Sequence, residues 1–357
     1  MRRFSLVSPF SKMVLGATCG LLLSLTGAGC GGDDVPIVDE TPTGPVCDAT
    51  KVTGMDNKMA TNELKLPGIA GNKPYAYDFD GNGVQENQLK TLINTISLAG
   101  LDIQKSVNDA VAGGEAIVLM NVKASDLTKA ECAQVTLGLA KGPKAGDPKP
   151  TFDGKDKFEI MTEVAPVSLF GPVDAGKMST LASSKQKTSN KTEQQIQVNI
   201  PLGDGKTLPL SLRGAHFEGT LVKDGANTRV KDGMLHGVLA QVDIDQKIVP
   251  LVAKLLTDMV NKDPTAESAK IIIGLFENQA DPVSKKKCTD KPADCCATNG
   301  KTCKILPEEV KNSAVGGVLS ADVQVFDDQG NWAPVPGGKK YNGMSVGIGF
   351  SGVTAQF

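Results

Sequence analysis

Apolar and polar positions follow two rhythms along the chain, and each change of rhythm marks an element. Leu89, Leu92, Ile93 and Ile96 recur at helical spacing up to a stop near Gly100. Ile103, Val107 and Val111 repeat that spacing from Asp102 to Gly113-Gly114. Period-two alternation then predicts strands over 116–122 and 133–139, and over 157–164 after a loop rich in Gly, Pro and Lys. Ile196, Val198 and Ile200 face Leu208, Leu210 and Leu212 across Gly203-Asp204-Gly205-Lys206, a hairpin by pattern and by turn chemistry. Val222-Lys223-Asp224-Gly225 and Val230-Lys231-Asp232-Gly233 read as two closely spaced turns.

Helical spacing returns at 243–261 through Ile248, Leu251, Val252, Leu255, Leu256 and Met259, with Pro250 tolerable at a helix start. It recurs at 266–279. A strand over 313–326, a turn over 327–331 and a terminal strand over 344–357 complete the pattern. The predicted class is α+β, mainly β with helices: one antiparallel, sandwich-like domain with helical excursions over 47–357.

The first 46 residues follow neither rhythm. Arg2, Arg3 and Lys12 flank an apolar run over 13–25, too short to span a bilayer, which needs about 20 residues. Gly27, Ala28 and Gly29 then precede Cys30. This resembles the lipobox of bacterial lipoproteins, an aliphatic residue and two small ones before a cysteine, with Gly27 where Leu is usual. Ordinary cleavage after Ala28 is the alternative that the same residues allow.

The resemblance implies a signal peptide over 1–29 and a diacylglyceryl group on the Cys30 thiol, hence a membrane partner through a lipid anchor. Gly31, where Asp would imply retention in the inner membrane, implies the outer membrane, on its periplasmic or cell-surface face. The chain as a whole is similar to large uncharacterised lipoproteins of Gram-negative bacteria, which supplies a location and no activity. Residues 30–46, dominated by Gly, Asp, Pro and Thr, read as a flexible tether.

Cysteine parity agrees with acylation. Of eight cysteines, Cys19 leaves with the signal and Cys30 takes the lipid, so Cys47, Cys132, Cys288, Cys295, Cys296 and Cys303 remain, an even number for an oxidising compartment. A bond between adjacent Cys295 and Cys296 is strained, so each is expected to pair with Cys288 or Cys303. Two disulfides would then staple the loop over 288–303, leaving Cys47 for Cys132.

The formal net charge of −2, without a basic cluster, argues against a nucleic-acid partner. Aromatics are 4% of residues with one Trp, so no ring-stacking sugar platform is indicated. The clearest chemistry lies at Asp78-Phe79-Asp80-Gly81-Asn82-Gly83-Val84-Gln85-Glu86. Asp78, Asp80 and Asn82 stand at positions 1, 3 and 5 of a calcium loop, Gly83 makes the turn, Val84 offers a carbonyl and Glu86 falls at position 9. Leu89 occupies position 12, where an EF-hand has its bidentate Glu. The expected cofactor is a structural Ca²⁺, and no other is indicated.

His216 and His236, the only two histidines, come opposite one another if the intervening turn centres near Ala226. That arrangement would make a two-His metal or acid/base site conceivable; their ordinary reading is as core residues. Gly343-Met344-Ser345-Val346-Gly347 fits a hydrolase elbow, yet no Asp or His follows to complete a triad. Asn299-Gly300-Lys301-Thr302 ends like a phosphate loop, but Cys295 stands where its first Gly belongs. No catalytic residue is singled out. The function expected is a binding or structural role at the envelope with an envelope protein or polymer as partner; the alternative is a hydrolase acting on envelope or extracellular polymers.

Overall fold

The terminal strand shows how the sheet is built. Along β9 (Gly343–Thr354), Met344, Val346, Ile348 and Phe350 fall on one face, while Gly343, Ser345, Gly347 and Gly349 fall on the other. The bulky face enters the main hydrophobic core, where Met344 and Val346 are fully buried. The bare face leaves room for a second layer of chain outside the sheet. The computed structural model describes residues 47, 49–98, 101–180, 195–203, 205–276, 305–313, 316–317 and 319–357.

Around β9 the described strands are β1 (Met55–Lys65), β2 (Val118–Ala124), β3 (Lys129–Leu139), β4 (Val167–Asp174), β5 (Lys177–Ser179), β6 (Ile196–Gly203), β7 (Lys206–Asp224) and β8 (Asn227–Ala240). They pair antiparallel in the order β5-β4-β3-β2-β1-β9-β8-β7-β6, and β5 also pairs with β7. The expected mainly antiparallel β fold with a few helices is therefore what forms, and its pairings run in a closed circuit. The three residues of β5 join the two halves, so fewer backbone donors face solvent at an open edge.

Helix α1 (Gln88–Leu98) turns Leu89, Leu92, Ile93 and Ile96 into the core. Helix α2 (Ile103–Gly113) starts where Asp102 accepts a hydrogen bond from the Lys105 N–H and ends at left-handed Gly114. It packs against both β1 and β6, which lie apart in the strand order, and so bridges the circuit. Burying each large aliphatic side chain of these helices contributes about 1.5–3 kcal/mol.

Helix α3 (Gln241–Asp243) runs through a π turn (Ile244–Ile248) into α4 (Val249–Lys262). The π turn, in which the Val249 N–H reaches the Ile244 carbonyl, accommodates Pro250 at the start of α4. Helices α5 (Glu267–Phe276) and α6 (Pro307–Asn312) pack on α4. From Pro45 onward the chain forms one unit.

Three expected elements are corrected. Residues 157–164 form no strand: Lys157 and Ile160 each make a single bridge, because β4 already occupies the free edge of β3. The described residues of 313–326 make only isolated bridges, at Val323 and Phe326, and Val323, Val325 and Phe326 pack in a second core on the outer face of the sheet. The second Val-Lys-Asp-Gly is a bulge inside β8, with Asp232 at φ 49°, rather than a turn.

Cys47 and Cys132 are joined by a disulfide that ties the start of the described chain to β3, beside buried Phe170. Cys30, Cys288, Cys295, Cys296 and Cys303 lie outside the described residues.

Candidate cation and histidine site

On its bare side β9 is covered by residues 74–87. A Cβ at Gly347 would lie 1.8 Å from the Tyr75 carbonyl oxygen, and one at Gly349 would lie 2.3 Å from the Tyr75 ring. Only glycine admits this close passage. Asn87 fastens the segment, donating to the carbonyls of Tyr75 and Gly347 and accepting from the Gly347 N–H. Phe79, Val238, Val323, Val325 and Phe326 form a second, smaller core outside the sheet, with Tyr77 and Trp332 packed against it.

The Asp78 loop opens from this layer. Tyr77 and Glu86 exchange two backbone hydrogen bonds of 3.1 Å, closing its neck. Asp78 accepts from the N–H groups of Gly81, Asn82 and Gly83, and Gly83 takes φ 84°, open to glycine and costly for other residues. This inward folding brings one oxygen each of Asp78, Asp80 and Glu86 within 4.8 Å of one another. The other two expected ligands are arranged differently. Asn82 gives its amide N–H₂ to Asp80 and Glu86 while its oxygen accepts from Val84 N–H, and the Val84 side chain is exposed.

The electrostatics of the loop are those of crowded carboxylates. Burial, then the charges of Asp80, Asp78 and Asp322, push Glu86 up to about 7. Burial also raises Asp80 and Asp322. Oε2 of Glu86 is buried without a hydrogen-bond partner. Such a group is satisfied by a proton or a cation, and hard oxygen donors suit Ca²⁺. Leu89, at loop position 12, is buried in α1 and offers nothing. A further negative charge near Glu86 comes from Asp322, far downstream in sequence, whose carboxylate accepts from the N–H and hydroxyl of Ser345; no local motif could reveal it.

Ser345 of the elbow-like motif lies inside β9 and is fully buried. Its hydroxyl donates to Asp322 and accepts from the Gln88 N–H, so it ties the two covering segments to the sheet.

His216 and His236 are direct partners across β7 and β8. Their centroids are 5.9 Å apart, and the Tyr77 ring lies over both at 4.5 and 5.2 Å. His216 Nε2 shares a 2.9 Å hydrogen bond with Glu218, which lowers the pKa of that carboxylate. Burial, then the neighbouring His216, hold His236 down to about 4. Neither His236 nitrogen makes a well-formed hydrogen bond: the Tyr75 carbonyl nearby favours its protonated form, but that oxygen already accepts from Asn87. Tyr77 and Glu218 join the site beyond the sequence expectation; Glu218 was findable, two residues from His216 and hence on the same strand face.

Elsewhere, a cavity of about 410 Å³ opens between α2, β6 and the start of β7. Leu64, Ile117, Leu139 and Val198 line it together with Asp109 and Lys206. Lys206 is engaged by Asp258 at 2.8 Å. The chain matches no protein-family model, no curated protein and no solved structure.

Proposed function

We propose that this is an exported envelope protein, held at the outer membrane through lipidated Cys30, with a binding or structural role and a body stabilised by Ca²⁺ at the Asp78 loop. One observation carries the calcium part of the reading, as the lipobox-like run before Cys30 carries the envelope part: three carboxylates from a nine-residue stretch converge within 4.8 Å, with a buried Glu86 oxygen left unpartnered. The ion would be structural, because the loop clamps the outer layer where Tyr77 and Asn87 hold it to the sheet. The Cys47–Cys132 disulfide suits an oxidising compartment.

Thermal melting of the mature protein with Ca²⁺ and with chelator tests the ion. Ca²⁺ should raise the melting temperature of the wild type and leave an Asp78→Asn/Asp80→Asn protein unmoved. Equal melting of the wild type under both conditions would remove Ca²⁺ from the reading.

A further inference from the structure

The histidine pair has its own unexplained feature. His216 and His236 are 4% and 1% exposed, yet His216 Nδ1 and both nitrogens of His236 are buried without a hydrogen-bond partner. Buried polar atoms without a partner are few in native proteins, and a bound ion or water is a common way of satisfying them.

The hydrogen bond to Glu218 decides what His216 can offer. A carboxylate at Nε2 places the ring proton there and leaves the lone pair on Nδ1, the unpartnered atom. Carboxylate, imidazole and metal in this sequence is how many metal-binding histidines are oriented. The rings are neighbours: imidazole nitrogen binds zinc at about 2.0–2.1 Å, which puts two centroids roughly 5 Å apart in a tetrahedral shell and farther apart as the angle between ligands opens, and here they are 5.9 Å apart. Direct pairing across β7 and β8 fixes that spacing in the backbone, and Tyr77 holds both rings from above.

We propose that His216 and His236 form a site for one imidazole-seeking transition-metal ion of the Zn²⁺ class, with Glu218 orienting His216 and water completing the shell. The nitrogen donors distinguish it from the all-oxygen Asp78 loop, which suits Ca²⁺. Glu218, hydrogen-bonded to His216, stands where its carboxylate can offset the charge of the ion.

Because the protein has only two histidines, ¹⁵N-histidine labelling reads the site directly in the untagged wild type. With Ca²⁺ saturating, one equivalent of Zn²⁺ should move ring nitrogen resonances of both histidines, while His216 Nε2 stays protonated. Glu218→Gln should weaken Zn²⁺ affinity roughly tenfold or more, with both histidines still responding. Both imidazoles unmoved at tenfold excess Zn²⁺ would overturn the proposal, as would Zn²⁺ retained on dialysis without a shift of either ring, which would place it on other ligands.

Discussion

The carbonyl of Tyr75 sits in the space that a side chain on residue 347 would fill, 1.8 Å from where its Cβ would be. Gly347 is also the partner of His236 in the β8–β9 ladder, so one missing side chain seats the covering segment beside the histidine pair. Gly347→Ala should push residues 74–87 off the sheet and destabilise the protein by roughly 1–3 kcal/mol, the usual range for overpacking. Urea unfolding measures the loss. A fall in Ca²⁺ affinity should accompany it, because Asn87 and Tyr77 hold the loop through the same contacts.

His236 predicts a loss of stability in acid. Its pKa is about 4 in the fold against an ordinary 6.5, so the unfolded chain takes up its proton first as pH falls. Stability from this group is complete above about 6.5 and declines as pH drops toward 4. The shift corresponds to ~3 kcal/mol. A His236→Gln protein, followed by urea midpoints between pH 7 and 4, should show a flatter profile than the wild type.

Glu86 predicts the opposite slope when no divalent cation is bound. Its pKa of about 7 exceeds the ordinary 4.5, so the folded state holds the proton more tightly. The contribution is fully present below about 4.5 and is lost as pH rises through 7. In chelator, Glu86→Gln should gain on the wild type from pH 5 to pH 8. With Ca²⁺ the order at pH 8 should reverse, and Ca²⁺ affinity in the wild type should weaken as pH falls below 7.

Cys47 and Cys132 enclose a loop with a sequence separation of 85, so removing their bond releases much unfolded-chain entropy. Replacing both by Ala should cost about 2–5 kcal/mol in urea unfolding with the β circular-dichroism signal retained.

Strong local periodicity made part of this fold legible. Helices α1 and α2, the β6–β7 hairpin and β9 each carry a run of apolar residues at one spacing, and the structure keeps those faces buried. The histidine register could be stated only as a condition on the turn, because a bulge decides it: a short turn at Asp224 to Asn227 starts the pairing, and a shift between Glu218 and Thr220 brings His216 opposite His236. β1 was not legible, since a bulge between Thr61 and Glu63 breaks its alternation and buries Met59, Ala60 and Thr61 in succession. Residues 157–164 alternate well, but alternation cannot say whether a strand edge is free. At the candidate site, Asp78, Asp80 and Glu86 were visible as a local motif, while the charge of Asp322 is brought near Glu86 only by the fold.

The envelope role rests on Cys30, and the intact mass of the product purified from the native membrane fraction tests it most directly. A chain beginning at Cys30 and carrying two or three acyl groups is the predicted result. An unmodified chain beginning at Gly29, recovered in the aqueous fraction, would contradict it.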